Sequence, residues 1–66
     1  MAAKYYVSKE AESTGQHEIH KEGCTKLPSD RIFLGGFSHC INALEAAKEF
    51  YSNVDGCDYC SPMCTR

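Results

Sequence analysis

Five cysteines in a chain of 66 residues, at Cys24, Cys40, Cys57, Cys60 and Cys64, limit what this sequence can fold into more than any other feature. A core built from so few residues supplies no more than about 3–5 kcal/mol, so small domains commonly add a covalent or metal staple. The odd number argues against a framework made only of disulfides. The opening Met1–Tyr6 has no apolar stretch of the secretory kind. Together these features point to a cytoplasmic protein whose cysteines bind metal or do redox chemistry.

The remainder of the sequence reads as one small domain over residues 1–66. Hydrophobic residues make up 42% and charged residues 24%, a globular balance rather than that of a disordered tail. No apolar run approaches the roughly 18 residues of a membrane span. The net charge of −2 excludes a whole-chain basic footprint for nucleic acid.

Hydrophobic periodicity gives the expected elements. Lys4-Tyr5-Tyr6-Val7-Ser8 alternates as a first strand, with Tyr5 and Val7 on one face. His17-Glu18-Ile19-His20-Lys21 alternates as a second strand, antiparallel to the first, with Ile19 and His20 on opposite faces. Arg31-Ile32-Phe33-Leu34 forms a short third strand that Gly35-Gly36 is expected to break. Ser38 is the expected N-cap of a helix over His39–Ser52. Its core face carries Cys40, Ala43, Leu44, Ala47, Phe50 and Tyr51. Asn53 to Gly56 ends that helix, with Gly56 free to take a positive φ. The fold class is therefore α+β: a small three-stranded antiparallel sheet, one covering helix and a C-terminal cysteine knuckle.

Two half-sites carry the chemistry. His20-Lys21-Glu22-Gly23-Cys24 separates a histidine and a cysteine by three residues, and Cys57-Asp58-Tyr59-Cys60 separates two cysteines by two. Short spacings of this kind let two ligands from one turn reach one ion, and tetrahedral zinc takes four such ligands. An ion shared by Cys24, Cys57, Cys60 and His20 would cross-link the hairpin exit to the helix exit. That loop closure is a sound staple for a small core.

The order His20-x3-Cys24, Gly36-Phe37-Ser38, an alanine-bearing helix, then Gly56-Cys57-x2-Cys60 resembles a bacterial zinc module. It looks like the metal-binding domain of the adaptive-response methylphosphotriester DNA repair protein, and like the modules ending competence-type nucleases. The resemblance implies zinc held by Cys24, Cys57 and Cys60, with His20 as fourth ligand. The chain departs from the repair protein where His20 replaces one cysteine of the opening pair. Asp58 and Tyr59 also stand where basic residues are usual.

The remaining residues have simpler readings. Cys40 is expected as plain burial on the helix face, a ligand or a partner of Cys64 being the alternatives. Cys64 is the surplus cysteine, and Cys57, Cys60 and Cys64 could hold three corners of an iron–sulfur cluster. His17 and His39 are expected at the surface. Glu10, Glu12, Glu18 and Glu22 read as a solvated face, and no acid–base pair for catalysis is visible. The favoured function is a zinc-stabilised interaction module without catalysis. The alternatives are a thiol-active site (alkyl acceptor or thiol–disulfide exchange) and a disulfide-stapled domain without metal. A protein partner is favoured over nucleic acid, with Tyr5, Tyr6, Phe33, Phe37 and Tyr59 as candidate contact residues, most of them expected in the core. No membrane association is expected.

Overall fold

Three strands and a helix follow the order expected from the sequence, and a fourth strand joins them. A computed structural model describes residues 2–13, 15–60 and 64. The elements are β1 (Ala3–Ser8), β2 (His17–Lys21), β3 (Arg31–Phe37), α1 (Cys40–Ala47) and β4 (Val54–Gly56). They form an α+β unit with sheet order β3-β1-β2-β4. Strands β2 and β3 both pair antiparallel with β1, while β4 lies parallel to β2. Among the described residues no helix is long and apolar enough to cross a membrane.

Strand alternation sorts the side chains as the sequence implies. Tyr5, Val7 and Ile19 are buried with Ala43, Ala47 and Val54 in the core between the sheet and α1. Tyr6, which pairs with His20, lies on the opposite face.

The sheet corrects the expectation of three antiparallel strands in two places. The first is β3, which runs through Gly35-Gly36 to Phe37 instead of breaking there. Tyr5 pairs with Gly35 and the adjacent Tyr6 with Phe33, so Leu34 is an extra residue without its own partner. Such a bulge flips the side-chain parity of the strand. It lets Phe37 join Ile32 on the core side, where the Phe37 ring lies 6.2 Å from that of Tyr5. Gly35 absorbs the distortion at φ 130°. Glycine here shapes a strand rather than ending one.

The second correction is β4. Asn53–Gly56 was expected only to terminate the helix, yet Val54–Gly56 is buried and pairs with β2, and Gly56 has no positive φ. The helix is also shorter than His39–Ser52. It starts from His39, without a side-chain cap from Ser38 or any other residue. After Ala47 the chain tightens into i→i+3 bonds, Glu49 N–H to Ala46 O at 3.2 Å and Phe50 N–H to Ala47 O at 2.9 Å. Tyr51 still folds onto the core, but Phe50 is 51% exposed and Leu44 is only half-buried. His17, expected at the surface, is half-buried. Its ring stacks on Tyr51 at 3.6 Å, and its Nδ1–H donates to the Ser8 carbonyl at 2.9 Å. His39 is exposed, as expected.

Cys40 forms a disulfide with Cys64 across a sequence separation of 24 residues. It is therefore not the plain buried cysteine expected, and Cys64 is not a corner of an iron–sulfur cluster. A cross-link closing a loop of this length is worth about 3 kcal/mol in the chain-entropy account. Reduction, or the double change Cys40→Ala with Cys64→Ala, is expected to lower stability by about that much. The packing makes a second prediction. Ile19→Ala, at a fully buried position, should cost about 2–5 kcal/mol, while Ile41→Ala on the exposed helix side should stay within about 0.5 kcal/mol. Urea unfolding midpoints check both, and equal midpoints for the two single variants would contradict the helix orientation.

Candidate metal centre

Three backbone devices bring the two half-sites together. The first is the turn after β2. The Cys24 N–H donates to the Lys21 carbonyl at 3.0 Å, and Gly23 takes φ 88°, a conformation that costs residues with a Cβ. This turn folds Cys24 back under His20. The second is the ladder between β2 and β4. It continues one residue beyond the strand, with the Cys57 N–H donating to the Ile19 carbonyl at 3.1 Å, so Cys57 arrives beside His20. The third is the turn over residues 58–60, after which the Lys21 N–H donates to Cys60 Sγ at 3.4 Å.

The result is a cluster of four donors. His20, Cys24, Cys57 and Cys60 each offer one ligand atom, and these atoms all lie within 4.8 Å of one another. His20 Nδ1 lies 3.7 Å from Cys24 Sγ and 3.9 Å from Cys60 Sγ. His20 and Cys57 are buried, while Cys24 and Cys60 are half-buried. The four residues singled out from sequence are thus gathered at one point. Donors around a tetrahedral zinc ion sit about 3.5–3.8 Å apart, given zinc–sulfur bonds near 2.3 Å and zinc–nitrogen bonds near 2.0–2.1 Å. Donors within 4.8 Å of one another are compatible with a single ion of that size. One nitrogen and three sulfurs form a donor set suited to zinc.

Burial favours the neutral form of both His20 and the Cys60 thiol. Burial lowers the pKa of His20 from its ordinary value, with Lys26 adding to the effect and Glu12 opposing it. Burial likewise raises the Cys60 thiol, helped by its contact with Cys24, against the lowering effect of the Lys21 N–H. A neutral imidazole is ready to ligate. The thiols must lose protons to a metal, so affinity falls as pH drops.

Sequence reasoning passed over several neighbours of this cluster. Glu18 was read as part of a solvated face, yet its Oε1 lies 3.7 Å from His20 Nε2. The two-residue period of β2 puts both side chains on one face, and that was the available signal. Lys26, just past Cys24, reaches Asp58 at 3.7 Å and lies 5.9 Å from the centre of the Tyr59 ring. These contacts join the two half-sites at the surface, where such pairs contribute little energy.

Comparison with known proteins found no matching family model, no matching curated protein and no matching solved structure.

Two outcomes follow for the metal-free protein. Gly23→Ala meets no neighbouring atom, so its cost is conformational alone, about 1–2 kcal/mol. It should also weaken metal binding by misplacing Cys24. The second concerns pH. His20 takes up its proton at lower pH in the folded chain than in the unfolded one. Stability is therefore full above the ordinary histidine value of 6.5 and declines as pH falls below it. Urea midpoints measured from about pH 7.5 to about pH 5 should fall more steeply for the wild type than for His20→Gln. Parallel curves would contradict the burial of a neutral imidazole.

Proposed function

We propose that this protein is a zinc-stabilised interaction module without catalysis, its ion held by His20, Cys24, Cys57 and Cys60. The observation that carries this reading is the convergence of those four donor atoms within 4.8 Å, drawn from two separate stretches of the chain. A site with four protein ligands keeps no open position for substrate, which is the pattern of structural rather than catalytic zinc. The ion would supply a cross-link between the turn after β2 and the turn after β4. The resemblance to the zinc modules of DNA repair and competence-type proteins points the same way and belongs to the proposal.

A protein partner suits the chain better than nucleic acid, because the net charge is −2. Of the aromatic residues considered for such a contact, Phe33 and Tyr59 are 56% and 62% exposed, whereas Tyr5 is buried in the core. The proposed location is the cytoplasm, where Cys24, Cys57 and Cys60 would keep their thiols for metal. Disulfides are rare in the reducing cytosol, so the Cys40–Cys64 bond weighs against that location. The same bond favours a second reading, a domain stapled by the disulfide alone.

Elemental analysis and unfolding separate the two readings. The zinc reading predicts one zinc per chain in protein purified without chelator. It also predicts loss of that zinc in Cys57→Ser, and a lower unfolding midpoint once a strong chelator is added. Metal-free protein whose midpoint ignores both zinc and chelator, but falls on reduction, would establish the disulfide-stapled domain instead.

A further inference from the structure

His20 presents its two ring nitrogens to different partners. Nδ1 faces Cys24 Sγ at 3.7 Å and Cys60 Sγ at 3.9 Å, while Nε2 faces Glu18 Oε1 at 3.7 Å. A neutral imidazole carries its proton on one nitrogen and a lone pair on the other. Whichever nitrogen is protonated, the other one is left to bind a metal. Histidines that ligate metals commonly donate the second N–H to a carboxylate, which fixes the tautomer and makes the ligand more basic.

We infer that Glu18 is the positioning residue of this site: it accepts the Nε2–H of His20 and so presents Nδ1, with its lone pair, to the three sulfurs. The inference rests on the proposed metal site and adds a residue to it. The backbone sets the arrangement. Residues 18 and 20 share one face of β2, and β2 is held between β1 and β4, so the spacing of their Cα atoms is fixed on both sides. The His20 ring is buried, whereas the Glu18 side chain is 24% exposed and retains room to turn. A movement of the carboxylate by about 0.8 Å brings it to ordinary hydrogen-bond length, near 2.9 Å. Glu18 is also set among negative charge. Burial raises its pKa, and the like charges of Glu12, Asp58 and Asp55 add to that, partly offset by Lys26. A donor N–H at His20 Nε2 gives this carboxylate a partner in that acidic surrounding.

The test compares wild type, Glu18→Ala and Glu18→Gln in two measurements. Zinc affinity is read by competition with a chromophoric chelator. The His20 tautomer in the zinc-loaded protein is read from long-range proton–nitrogen correlation spectra. The wild type should show zinc on Nδ1 and the proton on Nε2. Glu18→Ala should bind zinc about 10–100-fold more weakly. Glu18→Gln keeps an acceptor oxygen and should recover most of the affinity with the same tautomer, a rescue that loss of charge alone would not give. Wild-type affinity in Glu18→Ala, or zinc on Nε2 in the wild type, would overturn the role of Glu18 while leaving the metal site standing. Failure of the wild type itself to bind zinc would overturn the site, and the role of Glu18 with it.

Discussion

The pairing of three residues of β4 with β2 is the contact on which the rest of this structure depends. Through it Val54 enters the core and Asn53 accepts the His17 N–H at 2.8 Å. The same ladder delivers Cys57 to the side of His20 through the bond from its N–H to the Ile19 carbonyl. Parallel strands need a crossover, and the connection here runs through β3 and α1. The helix that covers one face of the sheet is thus also the device that returns the second half-site to the first. Without that return Cys57 and Cys60 would have no geometric relation to Cys24.

One disulfide and one candidate metal cluster flank a thin core. The Cys40–Cys64 bond ties the start of the helix to the C-terminal cysteine, and Cys40 packs against the core beneath α1. The His20 cluster gathers around a side chain on the other face of the sheet, opposite Tyr6 in the pairing register. The two faces therefore obtain order by different means, through apolar packing under the helix on one and through converging ligands on the other. The buried apolar set is small, with Ile19 and Val7 its largest fully buried apolar side chains apart from Cys57. This is the condition under which cross-links contribute a large share of stability.

Much of this arrangement was legible in the sequence because it follows local rules. Alternation placed Tyr5 and Val7 on one face of β1 and separated Ile19 from His20 on β2. Helical spacing placed Ala43 and Ala47 in the core. The paired spacings His20-x3-Cys24 and Cys57-x2-Cys60 named the four clustered residues. What escaped depended on tertiary context. A three-residue strand such as Val54–Gly56 has too short a period to detect, and only burial beside β2 makes it a strand. Gly35-Gly36 reads locally as a break, yet the bulge at Leu34 turns it into the means of bringing Phe37 into the core. The pairing of Cys40 with Cys64 cannot be deduced from spacing, since an odd set of cysteines permits many partners. The place of Glu18 behind His20 was visible in the strand period but was outweighed by the commonness of solvated glutamates.

The central claim is that one ion unites the turn after β2 with the turn after β4. X-ray absorption at the zinc edge of the loaded protein tests it most directly, because it reads the inner shell without reference to stability. The account predicts one nitrogen at about 2.0–2.1 Å and three sulfurs at about 2.3 Å, with His20→Ala losing the nitrogen alone. A shell of oxygen and nitrogen without sulfur, or a sulfur number unchanged in Cys24→Ser, would contradict it.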